Sequence, residues 1–241
     1  MKTVQVRKNA FLVLGLLAFV SVALSGCLKQ SSSSTVSPKT YISLLHLAPW
    51  APAVEVYFND KQASSAISTG TVASSYSALG PGVYAIGFKK AGSDSVVASL
   101  SSSVYDSSQY STLLLYNLDS THVGAAKIAD DYSVLTQNNS YIRFFHLAPE
   151  MDNVDLYLDG TQVASGRSYA DNVSVNYYNQ FSPITPGTYN LIVKKAGADS
   201  TISSVSSVTL SAGNAFTIYL RGKKSGTGIN AIGVDYLQSV D

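Results

Sequence analysis

Apolar and polar residues alternate with a period of two along most of the chain beyond residue 40, which is the pattern of half-buried β-strands. Residues 54–58 alternate in this way, and residues 217–220 form a β-branched and aromatic run. The Asp159-Gly160 dipeptide lies between two alternating runs and favours a hairpin turn. No amphipathic helix is predicted after residue 40, so the pattern predicts an all-β fold.

The chain repeats itself once. The segments that recur are residues 41–49 at 141–149, residues 54–58 at 154–158, residues 81–95 at 186–200, and Asp131-Tyr132 at Asp235-Tyr236. The offset grows between the early and the later segments, which places a short insertion near Tyr169–Tyr178 in the second copy. A recurrence of this length indicates two tandem copies of one folding unit.

About seven strands are predicted in each copy, which favours an immunoglobulin-like sandwich. We therefore expect two tandem immunoglobulin-like antiparallel β-sandwich domains, at residues 41–135 and 141–241. Each copy has the size at which a domain folds alone, and residues 136–140 form the natural linker.

The N-terminus has the pattern of a secretory signal peptide over residues 1–26. Three basic residues precede an apolar run at 10–24, which is shorter than the ~20 residues that a membrane-spanning helix needs. The following Leu-Ser-Gly-Cys at 24–27 resembles the lipobox of bacterial lipoproteins, which implies cleavage before Cys27 and its modification with fatty acyl groups such as palmitate. An ordinary signal peptide with an incidental cysteine is the alternative. Residues 27–40 then form the lipidated cysteine and a Ser-rich tether.

The composition limits the classes of partner that the chain is expected to bind. Cys27 is the only cysteine, so the chain has no internal disulfide. The chain holds 16 Lys and Arg against 15 Asp and Glu, and loss of the three basic residues of the signal peptide leaves 13 against 15, a net charge of −2. No basic cluster remains that could neutralise a phosphate backbone, and nucleic acid is therefore not an expected partner.

The location expected from these features is the cell envelope, with the chain held to a membrane through its N-terminal lipid. Leu28 follows the cysteine, where an Asp retains enterobacterial lipoproteins at the inner membrane, so we expect the outer membrane. Either the periplasmic or the surface face is open to it. In Bacteroidetes an acidic cluster after the cysteine promotes surface export, and no such cluster follows Cys27, so in such an organism the periplasmic face is favoured.

Short motifs that occur twice resemble one uncharacterised family. His46-Leu47-Ala48-Pro49 with Val54-Glu55 returns as His146-Leu147-Ala148-Pro149 with Val154-Asp155, and each copy has a Pro-Gly-x-Tyr turn. This order is similar to the domain of unknown function 4397, over nearly the whole chain beyond the signal peptide. The resemblance implies an extracytoplasmic β-domain, often found in lipoproteins, with no established activity. Family members often have Asp where this chain has Glu55.

The pairs His46 with Glu55 and His146 with Asp155 are the first candidate site. On adjacent antiparallel strands the carboxylate could hydrogen-bond the imidazole and pin the first two strands together. The alternative is a general base or metal ligand, which would require an open pocket at the ring. The remaining histidine, His122, has no counterpart in the other copy.

Three tyrosines form the second candidate site. Tyr169, Tyr177 and Tyr178 lie in or beside the insertion, among several Asn and Gln residues. Aromatic rings beside amide groups suit a sugar or a protein partner, and exposed coplanar rings would favour a glycan. Ordinary strand tyrosines are the alternative.

Three serines are candidate modification sites. Ser95, Ser120 and Ser200 each follow an Asp in the short pattern that Bacteroidetes O-glycosylate in exported proteins. The alternative is that Asp-Ser simply favours turns.

These features predict a non-catalytic envelope lipoprotein that presents β-sandwich modules for binding or assembly, with a glycan or an envelope protein as partner. A glycan-binding accessory protein of polysaccharide uptake and a hydrolase that uses the His/acid pairs are the alternatives. The sequence indicates no metal and no cofactor.

Overall fold

The structure, a computed structural model, describes residues 37–240, and nearly every element in this range is a strand. The strands of the first half are β1 (Thr40–His46), β2 (Val54–Phe58), β3 (Lys61–Gln62), β4 (Ser77–Leu79), β5 (Gly82–Lys90), β6 (Val96–Tyr105), β7 (Tyr110–Asn117) and β8 (Val123–Asp130). Those of the second half are β9 (Ser140–Leu147), β10 (Val154–Leu158), β11 (Thr161–Arg167), β12 (Ser182–Ile184), β13 (Gly187–Lys195), β14 (Thr201–Leu210), β15 (Ala215–Arg221) and β16 (Gly233–Val240).

The short helices belong to the second half. The α-helix α1 (Asp171–Ser174) and a 3₁₀-helix (Asn176–Asn179) lie between β11 and β12, where the sequence predicts the insertion. Another 3₁₀-helix (Gly228–Asn230) precedes β16. In the described range, no helix has the length and apolar character needed to cross a membrane.

Each half contains two four-stranded sheets. The strand orders are β4-β1-β7-β8 and β3-β2-β5-β6 in the first half, and β12-β9-β15-β16 and β11-β10-β13-β14 in the second. The second half thus repeats the first strand for strand, and the predicted all-β fold of two sandwich-like halves is confirmed. Each half has eight strands rather than about seven.

One strand pair in each half is parallel, and all other pairs are antiparallel. β1 runs parallel to β7, with Ser43 opposite Thr112, and β9 runs parallel to β15, with Arg143 opposite Thr217. Parallel pairing requires a crossover connection, and the chain provides one here because it passes through the other sheet of the same half between the two paired strands. We call the sheets that contain β1 and β9 the inner sheets, and those that contain β2 and β10 the outer sheets.

The inner sheets pack against each other and join the two halves. One apolar cluster combines residues of both halves: Leu45, Leu47, Leu114 and Ile128 from the first, and Phe145, Leu147 and Tyr219 from the second. Every residue of β9 is buried, which explains why this strand lacks a clean alternation of apolar and polar residues. Residues 37–240 form one compact unit, and the segment 136–140 predicted as a linker lies between β8 and the start of β9.

The strand register corrects one repeat match. Thr112 pairs with Ile128 in the first half and Thr217 with Leu237 in the second, so Asp235 is equivalent to Ala126 rather than to Asp131. Asp131 follows the end of β8, whereas Asp235 lies within β16. The match is wrong because the connection between β15 and β16 is longer than that between β7 and β8.

The signal peptide, Cys27 and tether residues 28–36 lie outside the described residues, and the lipid attachment predicted at Cys27 stays a prediction.

Candidate functional site

His46 and His146 end or nearly end the first strand of each half, and both are completely buried. The Nε2 of His46 donates to the main-chain oxygen of Pro52 at 3.2 Å, and that of His146 donates to the main-chain oxygen of Asp152 at 3.1 Å. Burial lowers the pKa of both imidazoles, which keeps the rings neutral. Each ring therefore closes the loop that carries the chain from the inner to the outer sheet.

The expected hydrogen bond between each histidine and its acidic partner is not formed. β1 and β2 are not neighbours, because β1 pairs with β4 and β7 in the inner sheet and β2 pairs with β3 and β5 in the outer sheet. The prediction of an imidazole–carboxylate pair is therefore wrong for His46 with Glu55 and for His146 with Asp155. Alternation identified residues 54–58 as a strand and the repeat identified residues 41–49, but neither could show which sheet each strand joins.

The acidic residues bind main-chain N–H groups instead. Asp155 is buried, and its carboxylate accepts from the N–H of Gly166 at 2.7 Å and of Gly197 at 3.1 Å. Glu55 accepts from the N–H of Gly92, the residue equivalent to Gly197, at 3.4 Å. Both carboxylates thus bind the turn between the two longest strands of their outer sheet, which are β5 and β6 for Glu55 and β13 and β14 for Asp155. The shorter Asp side chain makes the shorter hydrogen bonds.

The rings do not have the surroundings that a catalyst requires. Neither His46 nor His146 lines the two grooves described below, and both rings are fully buried. His122 is exposed on a turn, where its Nδ1 lies 2.8 Å from Asp119. Within residues 37–240, no three His, Cys, Asp or Glu residues come together as a metal site would need. The geometry favours a structural role for both buried histidines.

Tyr169 lies between the two halves. Its hydroxyl donates to the main-chain oxygen of Asn117 at 2.7 Å and accepts from the Asn117 N–H at 3.1 Å. Its ring also packs edge-on against His146, and burial raises the pKa of the hydroxyl. Tyr169 therefore connects β7 of the first half to the second half. Because its hydroxyl already makes two hydrogen bonds within the protein, it is not available to a ligand.

Tyr177 and Tyr178 lie on the 3₁₀-helix of the insertion. Tyr177 is 69% exposed, whereas the ring of Tyr178 lies 3.7 Å from the guanidinium carbon of Arg167. Asp171 at the start of α1 binds that guanidinium through both oxygens, at 2.6 and 2.7 Å. The two rings are inclined at 63°, so they do not form the coplanar platform expected for a glycan.

A buried ion pair joins the halves, and sequence reasoning missed it. The Nη1 of Arg143 on β9 lies 2.7 Å from Asp130 on β8, and both side chains are buried. Thr112 and Tyr76 donate to the other Asp130 oxygen, each at 2.7 Å. The one available signal was an arginine inside an apolar repeat segment where the other copy has Ser43.

Each half has an open groove between its inner and outer sheets, on the side where both sheets end in short or irregular strands. The groove of the first half has a volume of about 340 Å³ and that of the second about 380 Å³. Equivalent residues line both grooves: Ile42 and Ile142, Leu44 and Phe144, Val56 and Leu156, Ala63 and Val163, Ser77 and Ser182, Leu79 and Ile184. The sequence did not predict these grooves. The strands that border the first groove, β3 and β4, are only two and three residues long, which is too short to show a pattern.

The two grooves differ at their openings. Apolar residues and serines line the first groove. The second groove also has Tyr177, Tyr178 and Gln180 of the insertion, together with Arg143 and Arg167. The insertion and the two arginines therefore make the second groove polar and aromatic, whereas the first groove is apolar.

The three candidate modification sites are exposed. Ser95 and Ser200 lie in equivalent turns, where the preceding residues Asp94 and Asp199 form ion pairs with Lys89 and Lys194. Ser120 lies in the turn between β7 and β8. All three positions are accessible to an enzyme, and their glycosylation stays a prediction.

A family comparison matches both halves. The model of the family described as Domain of unknown function (DUF4397) matches residues 40–157 and again residues 140–236. Comparison with curated proteins gives no match. The two matches cover nearly all of the described range and agree with its two equivalent halves. The chain belongs to the DUF4397 family and contains two tandem copies of its domain.

Proposed function

We propose that the protein is a non-catalytic cell-envelope lipoprotein, held to a membrane by lipid on Cys27, that presents its two sandwich halves for binding or assembly. One observation carries the non-catalytic part of the proposal: the two histidines that could act as general bases are fully buried, and each closes a loop. Two equivalent grooves are open in the described range, and neither contains these histidines.

The lipobox-like residues 24–27 support the anchor, Leu28 supports the outer membrane, and the absence of an acidic cluster after Cys27 supports its periplasmic face. Several acyl chains on one cysteine hold a protein to a bilayer without a spanning helix, because each buried methylene contributes roughly 0.8 kcal/mol.

The anchor is tested by expressing Cys27→Ser and the matched control Ser25→Ala in a bacterial host, with a labelled fatty acid. The wild type and Ser25→Ala should enter the membrane fraction with label, because both keep the cysteine and a small residue before it. Cys27→Ser should accumulate as an unlabelled precursor. Label and processing that persist in Cys27→Ser would reject the anchor.

A glycan ligand is a second candidate, and the second groove favours it. The exposed Tyr177 ring and the Gln180 amide line the same opening, which provides a stacking surface beside a hydrogen-bonding group. Tyr177→Ala should abolish retention on immobilised envelope polysaccharide, whereas Tyr157→Ala, on the outer sheet, should not. Equal retention of both variants would reject this candidate.

A further inference from the structure

We infer that the groove of the first half binds one aliphatic chain of a neutral lipid. This ligand class rests on the proposed role as a binding module and assigns it to a particular site. The lining consists of apolar residues and serines: Ile42, Ser43, Leu44, Val56, Phe58, Ala63, Ser64, Ile67, Ala73, Ser75, Ser77, Ala78, Leu79 and Leu113.

The floor of this groove is the core of the sandwich. Ile42, Val56 and Leu113 line the groove and are also buried members of the apolar cluster of the first half. An aliphatic chain that enters between the sheets would therefore extend existing core packing and lose its contact with water. The volume of about 340 Å³ lies at the lower end of the range for small-molecule pockets, which suits a single chain.

Charge matching selects a neutral ligand. No Lys, Arg, Asp or Glu lines the first groove, so a fatty-acid carboxylate would enter without a cationic partner. Removing an unpaired charge from water is strongly unfavourable. Ser75 and Ser77 are exposed at the opening, and their hydroxyls can hydrogen-bond the hydroxyl or ester of a neutral headgroup.

Other occupants fit the groove less well. An added peptide strand needs a long free sheet edge, but β3 and β4, which border the opening, contain two and three residues. A sugar needs stacking rings beside amides or carboxylates, and Phe58 is the only aromatic residue of the lining, which contains no Asn, Gln, Asp or Glu.

The second half provides an internal control. Its groove has the same place in the fold and a similar volume, but Arg167 takes the place of Ile67, and Arg143 and the insertion tyrosines also line it. Ala63 of the first groove corresponds to Val163 of the second, and Ala63 is exposed, so a charge introduced there should leave folding intact.

The test uses the full-length lipoprotein in phosphatidylcholine vesicles with two photoactivatable diazirine probes, one of decanol and one of decanoic acid. Peptide mass spectrometry after irradiation should place the decanol adducts on the lining residues, within 42–79 and at Leu113, and decanoate should label these residues much less. Ala63→Glu should reduce decanol labelling about tenfold, because the carboxylate opposes an apolar ligand. Val163→Glu should leave decanol labelling of the first groove unchanged. A cooperative thermal transition should show that both variants fold, at a lower temperature for Val163→Glu because Val163 packs against the core of the second half.

Three results would overturn the inference: decanol labelling that survives Ala63→Glu, equal labelling of the second groove, or equal labelling by decanoate. Flotation of the protein with the vesicles reports the Cys27 anchor separately. Intact flotation without decanol adducts would thus reject the aliphatic ligand and leave the proposed anchor standing. Decanol adducts on a protein that does not float would support the aliphatic ligand and reject the anchor.

Discussion

The Nη1 of Arg143 lies 2.7 Å from the Oδ1 of Asp130, and this buried ion pair connects the last strand of the first half to the first strand of the second. The Arg143 Nε also donates to Thr217 at 2.9 Å. Burial, followed by the charge of Asp130, raises the pKa of Tyr76, so its hydroxyl stays protonated and donates to that carboxylate. The halves thus share a polar network in addition to their common apolar cluster.

Loss of one member of this ion pair should destabilise the whole described unit. Arg143→Met should lower the free energy of unfolding by about 3–5 kcal/mol, because Asp130 then remains buried without its cationic partner. Urea unfolding followed by tryptophan fluorescence and by circular dichroism measures this change. Both signals should report a single transition in the wild type, since the halves share a core.

The double variant Arg143→Met with Asp130→Asn is the control for that experiment. It should recover much of the lost stability, because no unpaired charge remains. If the single variant lowers the free energy of unfolding by no more than about 0.5 kcal/mol, the size expected at an exposed position, the ion pair does not stabilise the contact between the halves.

The buried histidines predict a specific pH dependence. Burial lowers the folded-state pKa of His46 and His146 below the ordinary value of 6.5, so the unfolded chain binds more protons than the folded chain as the pH falls. Stability should therefore decrease from about pH 7 to about pH 5. The double variant His46→Gln with His146→Gln should show a shallower decrease in urea unfolding across this range. At neutral pH, His46→Ala should cost roughly 1–3 kcal/mol, because the Pro52 carbonyl loses its donor.

An equally steep decrease in the Gln double variant would show that other groups determine the pH dependence. The pH dependence of stability would then no longer support the loop-closing role of the two rings.

The fold could be predicted from the sequence further than the site could. Residues 54–58 alternate because one face of β2 packs on the core, and the repeat of residues 41–49 at 141–149 revealed the two halves. The partner of His46 could not be read in this way. Alternation shows which face a side chain takes, but the assignment of β1 and β2 to different sheets depends on contacts between residues far apart in sequence. The Arg143–Asp130 pair was missed for the same reason, since it forms only when the inner sheets pack together.

The two acidic residues at the turns should contribute unequally. Asp155→Ala should lower stability by about 1–3 kcal/mol, because two main-chain N–H groups lose a carboxylate that is itself buried. The matched variant Glu55→Ala should cost less, since Glu55 is only partly buried and its contact with Gly92 is longer. Thermal unfolding of the two variants measures the difference, and a larger loss for Glu55→Ala would contradict the assignment.

Glycosylation is predicted at the exposed serines if the native host modifies this pattern. Protein purified from that host should carry glycan on Ser95, Ser120 and Ser200, because each follows an Asp in an accessible turn. Peptide mass spectrometry should show the added mass disappear position by position in Ser95→Ala and Ser200→Ala. Unmodified peptides at all three serines in the wild type would end the prediction.

The proposal of a lipid-anchored envelope protein is tested most directly by the mass of the N-terminal peptide of protein purified from the membranes of its native host. The account predicts a peptide that begins at Cys27 and carries a diacylglyceryl group on the sulfur. A peptide that begins at Met1, or one that begins near residue 27 with an unmodified cysteine, would contradict it.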